Sequence, residues 1–279
     1  MDRKLIFLDI DGTILAHGEE VHPAVLEGLR RARNKGHMVF INTGRSHGSV
    51  PPEILDMETD GLICSAGSDI WFHGQNVYRQ SLSPDLIEHT CQILKEMDAV
   101  YLLEGFDRIY VSEKAQRILL GKEVLPNDNP ELVRWKKYFR QKPNLYPIEE
   151  WTPDGEKVPK ITFMLFQKEQ VEKVKEIMSE HFHVVFFPAA YDDFWNGELI
   201  SRTADKGTAI QKAAELLHIG IEDTIAFGDS MNDYEMIEKA GCGVVMANGD
   251  EYLKTIADRI CESVQEDGVV RELERMHLI

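Results

Sequence analysis

Two apolar runs near opposite ends of the chain each break off at acids. Leu5-Ile6-Phe7-Leu8 gives way to Asp9-Ile10-Asp11-Gly12-Thr13, and Thr224-Ile225-Ala226-Phe227 gives way to Gly228-Asp229-Ser230-Met231-Asn232-Asp233. An apolar run with no polar alternation reads as a strand buried on both faces of a parallel sheet. Ligands of such sheets bind outside the carboxyl ends of the strands, so both acidic segments fall where a site is built.

Strand and helix signals alternate through both ends of the chain. Pro23 suits the first turn of a helix, Val25, Leu29 and Ala32 form its apolar stripe, and Gly36 can stop it. Residues 37–41 and 61–64 read as further strands, and 70–72 with 77–78 flank Gly74-Gln75 as a hairpin. Beyond residue 200 the pattern resumes, with helices over 206–217, 231–239 and 269–277 and strands over 224–227 and 243–246. This alternation predicts right-handed βαβ units and an α/β domain with a doubly wound parallel sheet.

The middle of the chain follows another rule. Ser83 and Pro84 start a helix running to about Met97, strand-like stretches follow at 100–103 and 108–111, and polar helices cover 113–120 and 130–140. A stretch with Pro143, Pro147, Pro153 and Pro159 reads as irregular, before a strand at 161–166, a helix at 168–180 and a strand at 183–187. The expected division is a core over 1–82 and 193–279, with an α+β module inserted over 83–192.

Charge narrows the function. Lys and Arg number 31 against 48 Asp and Glu, a formal charge of −17. A field of that sign repels nucleic acids and anionic membranes, so neither is an expected partner. An anionic substrate needs local positive charge instead, from a metal ion or a few placed Lys and Arg. Cys64, Cys91, Cys242 and Cys261 form no CxxC pair, which reads as reduced thiols in a cytoplasmic protein. The four apolar residues after Met1-Asp2-Arg3-Lys4 are too few for a signal peptide or membrane span, and no later apolar run reaches membrane length.

The acidic segments carry the chemistry. Asp9 and Asp11, at i and i+2 on a strand end, can make a hard oxygen site suited to Mg²⁺. Gly12 lets the backbone turn tightly and expose N–H groups to an anion. Asp229 and Asp233 would bring two more carboxylates to the same rim. Unpaired, these acids would repel one another, and a divalent cation resolves that repulsion. Asn42-Thr43-Gly44-Arg45 ends another strand, where the Thr43 hydroxyl and nearby N–H groups can bind phosphate oxygens. Lys206 stands in the first turn of a helix, where the macrodipole disfavours a cation, and a bound anion would explain it.

These four segments, in this order, resemble the haloacid dehalogenase (HAD) superfamily, and within it the Cof-type hydrolases. The match rests on Asp9-Ile10-Asp11-Gly12-Thr13, on Thr43 in its Asn-Thr-Gly-Arg setting, on Lys206, and on Gly228-Asp229-Ser230-Met231-Asn232-Asp233, whose Met-Asn-Asp is the most group-specific part. Between Thr43 and Lys206 there is room for the remaining core elements and a cap of about 100 residues. One departure is Ser65-Ala66-Gly67, where many relatives carry Asn-Gly.

The resemblance implies a phosphatase of small phosphorylated metabolites (sugar phosphates, nucleotides, flavin mononucleotide or pyridoxal phosphate). Asp9 would be the nucleophile and form an aspartyl-phosphate, with Asp11 the general acid and then base. Mg²⁺ would be held by Asp9, the Asp11 backbone carbonyl and Asp229, with Asp233 behind them or as a further ligand. Gly12, Thr43, Gly44, Lys206 and Asn232 would hold the phosphate. The inserted module would act as a lid, with Glu104, Arg108, Tyr191, Asp192 and Trp195 as residues that could meet the leaving group.

Other readings compete. A phosphomutase would use the same aspartyl-phosphate, and a non-catalytic module would only bind metal. Gly44-Arg45-Ser46-His47-Gly48 matches the GxSxG elbow of serine hydrolases, with Asp258 and His277 downstream, which would make Ser46 the nucleophile. The chain has no GxxxxGK loop, GxGxxG fingerprint or HExxH helix.

Overall fold

Leu5–Leu8 forms strand β1, and none of its four side chains reaches solvent. Ile6 and Leu8 pack into one core with Val25, Leu29 and Ala32 of the helix Pro23–Asn34 and with Leu273 of the helix Gly268–Arg275. Leu5 and Phe7 point the other way, into a core with Ala209, Ile210 and Ala213 of the helix Lys206–Leu217 and Met236 of the helix Tyr234–Lys239. Two buried faces are why the sequence shows no polar alternation there. These features belong to a computed structural model that describes residues 3–16, 19–121, 130–142, 144–187 and 193–279.

The described chain divides into two compact units, 1–79 with 203–279, and 80–202. The first unit continues with β2 (Met38–Asn42), β3 (Gly61–Cys64), β4 (Asp69–Phe72) and β5 (Gln75–Arg79). The second holds β6 (Val100–Glu104), β7 (Ile109–Val111), β8 (Leu145–Pro147), β9 (Lys160–Leu165), β10 (Phe182–Phe186) and β11 (Trp195–Ser201). The chain then returns with β12 (Thr224–Gly228), β13 (Cys242–Met246) and β14 (Arg259–Cys261).

The first unit's sheet has the order β14-β13-β12-β1-β2-β3-β4-β5. It is parallel from β14 to β3 and ends in an antiparallel hairpin. The hairpin turns at His73-Gly74, both at positive φ (46° and 74°), one residue earlier than expected, as a two-residue turn of that hand requires. With β1 in the middle, β12 and β2 are its direct neighbours, so the carboxyl ends of three adjacent strands bring their loops to one rim.

The second unit's sheet has the order β10-β11-β9-β6-β7-β8. Ser83 caps the helix Pro84–Glu96 by accepting the Leu86 N–H. Leu94 of that helix and Val174 of the helix Lys168–Met178 share a core with Leu103, Phe163 and Leu199 of the sheet.

The structure moves the expected division. The boundary placed at 192/193 falls after Arg202, because Trp195–Ser201 pairs antiparallel with both β9 and β10. The segment 231–239 starts as a 3-10 turn over Met231–Asp233 before the α-helix, because the Asp233 carboxylate folds back to accept the N–H groups of Asp229 and Ser230. Strand β8 lies within the stretch read as irregular. All four cysteines are free. Among the described residues, no helix is long and apolar enough to cross a membrane.

Candidate active site

At the rim of the first unit, Lys206 is enclosed by two carboxylates. Its Nζ donates to Asp9 Oδ1 and to Asp233 Oδ1, each at 2.6 Å. The lysine and Asp233 side chains have no exposed surface, and Asp9 has almost none. Burial alone would lower the Lys206 pKa, but the Asp233 and Asp9 carboxylates outweigh it and hold the ammonium above its ordinary value. The cation that seemed misplaced in a helix's first turn is thus held by two anions of its own chain. Asp205 completes that turn by accepting the Thr208 N–H.

One carboxylate oxygen each from Asp9, Asp229 and Asp233 lie within 4.8 Å of one another. One ammonium cannot balance three carboxylates. Burial raises the Asp9 carboxyl well above its usual range, with Lys206 opposing and Asp233 reinforcing the rise. Asp229 is pushed up to about 8, by burial first and then by Asp233 and Asp9. Asp229 Oδ1 is buried with no hydrogen-bond partner.

Both oxygens of Asp233 are engaged within the fold. Its Oδ1 is taken by Lys206 and its Oδ2 by the N–H groups of Asp229 and Ser230. Three hydrogen bonds make it a bracket that holds the lysine and shapes the Asp229 loop. The orphan oxygen belongs to Asp229.

Gly12 also differs from expectation. Its N–H donates to Leu15 O at 2.9 Å, so it is already used within the turn and does not face an anion. Its φ is +87°, and a β-carbon there would collide with the Asp229 carboxylate. What Gly12 provides is room for Asp229.

Thr43 is buried and its Oγ1 accepts the Arg45 N–H at 3.2 Å. Its carbonyl accepts the Ala66 N–H, and the Arg45 carbonyl accepts that of Ser65. Ser65, Ala66 and Gly67 run consecutively at positive φ (50°, 52° and 99°), so Ser65 and Ala66 hold a backbone region that side chains disfavour. The motif departure therefore forms a strained brace under the Thr43-Gly44-Arg45 turn. Asn232 Oδ1 accepts the Ser230 hydroxyl at 2.6 Å.

Asp11 stands apart from the acidic cluster. Its side chain is 59% exposed, and both oxygens accept from Arg45, Oδ1 from Nη2 at 2.6 Å and Oδ2 from Nε at 3.0 Å. Sequence reasoning quoted Arg45 but assigned it no role. It missed two others. Buried Asn42 donates to Lys206 O at 3.0 Å, a position marked only by its place beside Thr43. Asn248 Nδ2 donates to Gly12 O at 2.8 Å, and no local pattern marks it.

The elbow reading of Ser46 does not survive. Ser46 is 2% exposed and its hydroxyl donates to Ser49 Oγ at 2.9 Å, so it is not presented as a nucleophile. In the second unit, Glu104 is engaged by Thr162 and by Lys160, which also pairs with Glu198. The Arg108 guanidinium lies 4.8 Å from the Tyr146 ring centroid, and Trp195 begins β11. Tyr191 and Asp192 lie outside the described residues.

Comparison with known proteins gives the family of the chain. A family described as haloacid dehalogenase-like hydrolase matches residues 6–273. The Bacillus subtilis (strain 168) protein YkrA is 29% identical, with 100% of both chains covered. The 5-amino-6-(5-phospho-D-ribitylamino)uracil phosphatase YitU of the same organism is 27% identical over 97% of this chain and 96% of its own. A solved haloacid dehalogenase-like hydrolase from B. subtilis superposes with a TM-score of 0.79 at 26% identity, covering 97% of this chain and 99% of that one. The chain belongs to the haloacid dehalogenase-like hydrolases, as an enzyme of their phosphatase branch.

Proposed function

We propose that this enzyme hydrolyses small phosphomonoesters with Mg²⁺, through an aspartyl-phosphate on Asp9. The observation that supports it most is the charge imbalance at the rim: three clustered carboxylates, one ammonium, and an Asp229 oxygen without a partner. A hard divalent cation takes carboxylate oxygens of this kind. The residues fit such an ion, which would be held by Asp9, Asp229 and the Asp11 backbone carbonyl. When bound, Mg²⁺ screens the repulsion between Asp9 and the phosphate dianion and polarises the phosphoryl oxygens.

The residues then divide the work. Lys206 fixes Asp9 through Oδ1, and Oδ2 attacks phosphorus as the bond to the leaving oxygen breaks. Asp11 protonates that oxygen and the alcohol departs. As a carboxylate, Asp11 next takes a proton from water, which attacks the aspartyl-phosphate, releases inorganic phosphate and regenerates Asp9. The Thr43 hydroxyl, the Gly44 N–H and the Asn232 amide would hold the phosphate oxygens during both transfers. These groups recognise only phosphate.

The relative YitU is named as a 5-amino-6-(5-phospho-D-ribitylamino)uracil phosphatase, which places that compound on the substrate panel beside sugar phosphates, nucleotides, flavin mononucleotide and pyridoxal phosphate. Phosphate release over that panel with Mg²⁺ is the test. Turnover should stop with EDTA and in Asp9→Asn. Wild-type turnover by Asp9→Asn would remove the covalent scheme.

A further inference from the structure

We propose that Arg45 is a positioning residue for Asp11, acting in the second half of the reaction, when water attacks the aspartyl-phosphate. The inference rests on the reading of Asp11 as the proton-transfer group. The guanidinium meets both Asp11 oxygens at once, at 2.6 and 3.0 Å, the two-point geometry that fixes a carboxylate's plane as well as its place. Arg45 is itself anchored at its backbone: its N–H donates to Thr43 Oγ1 at 3.2 Å and its carbonyl accepts the Ser65 N–H at 2.8 Å.

The pair is not there for stability. The Arg45 and Asp11 side chains are 27% and 59% exposed, and an ion pair so open to water contributes little to folding. Its chemistry is selective, because a guanidinium carries only donors. The fork therefore matches a carboxylate, which offers it two acceptor oxygens at 2.6 and 3.0 Å. A carboxylate held in one orientation is what the water-activating step requires.

Rapid mixing with p-nitrophenyl phosphate and Mg²⁺ separates the two halves, because nitrophenolate leaves without needing a proton. Arg45→Met should release a burst of about one nitrophenolate per site at the wild-type rate. Steady turnover should then be slower by about tenfold to a hundredfold, the range expected when a base is present but not oriented. Acid quenching should trap aspartyl-phosphate, and Arg45→Lys should recover only part of the rate. A slow first turnover with no burst would overturn the proposal, since Arg45 would then be acting on the phosphate. So would unchanged turnover. Asp11→Asn is the control: wild-type turnover there sinks the reading of Asp11 and the proposal with it. A burst in Asp11→Asn but none in Arg45→Met sinks the proposal alone.

Discussion

Lys206 Nζ and Asp233 Oδ1 stand 2.6 Å apart with no solvent-exposed surface on either side chain. Asp233 in turn grips the backbone that carries Asp229. One buried ion pair thus ties the lysine that holds Asp9 to the loop bearing the orphan carboxylate oxygen, and neither partner can be removed without disturbing both.

Lys206→Met is expected to unfold more easily and to lose turnover. Removing one partner of a buried ion pair costs about 3–5 kcal/mol because the other charge remains. Urea unfolding at pH 8 in EDTA measures the loss. A change below about 1 kcal/mol would show that Asp9 and Asp233 do not depend on this lysine.

The metal-free protein should lose stability as pH rises. Asp229 is raised from 3.8 to about 8 in the folded state, so between those values the folded chain binds more protons than the unfolded one. Stability is therefore full below the ordinary carboxylate range and falls through neutral pH up to about pH 8. Thermal melts from pH 5 to about 8.5 in EDTA should show a declining Tm. Added Mg²⁺ should raise Tm most at the alkaline end. A Tm that rises with pH in EDTA would contradict the buried-carboxylate account.

Asp229→Asn should separate stability from activity. It removes the carboxylate with the partnerless oxygen, so the metal-free variant should melt at or above the wild-type temperature at pH 8 while turnover is lost. Mg²⁺ should no longer shift its melt. A full Mg²⁺ shift in Asp229→Asn would place the ion elsewhere.

Gly12→Ala tests the close approach of two loops. At φ +87° the methyl group would enter the space of the Asp229 carboxylate, and one displaced ligand can cost about a hundredfold in rate. Weaker Mg²⁺ stabilisation together with lower kcat is the expected pair of effects. Unchanged Mg²⁺ titration of the melt would argue that Asp229 does not hold the ion.

Local sequence went far with this molecule because its core strands are buried on both faces and helices such as Pro84–Glu96 and Lys206–Leu217 begin at side-chain caps. Leu5–Leu8 and the helix Lys206–Leu217 fall where their patterns predict, and acids at strand ends mark the rim. Patterns failed where strand formation depends on distant partners. Trp195–Ser201 carries Asn196, Gly197 and Glu198 in its middle, so it lacks an apolar run, and its pairing with β9 and β10 makes it a strand. Leu145–Pro147, hidden among prolines, is a strand only beside β7.

By itself, then, the sequence determined which segments are buried, which way the chain alternates and which residue types reach the rim, because burial and backbone preference are encoded locally. Tertiary structure alone decided how those residues pair. It set Lys206 between Asp9 and Asp233, spent the Gly12 N–H on Leu15, turned Asp233 into a bracket and laid Arg45 across Asp11. A hydrogen bond's partner is fixed by distances of a few ångströms between residues far apart in the chain, and those distances exist only once the sheet has assembled.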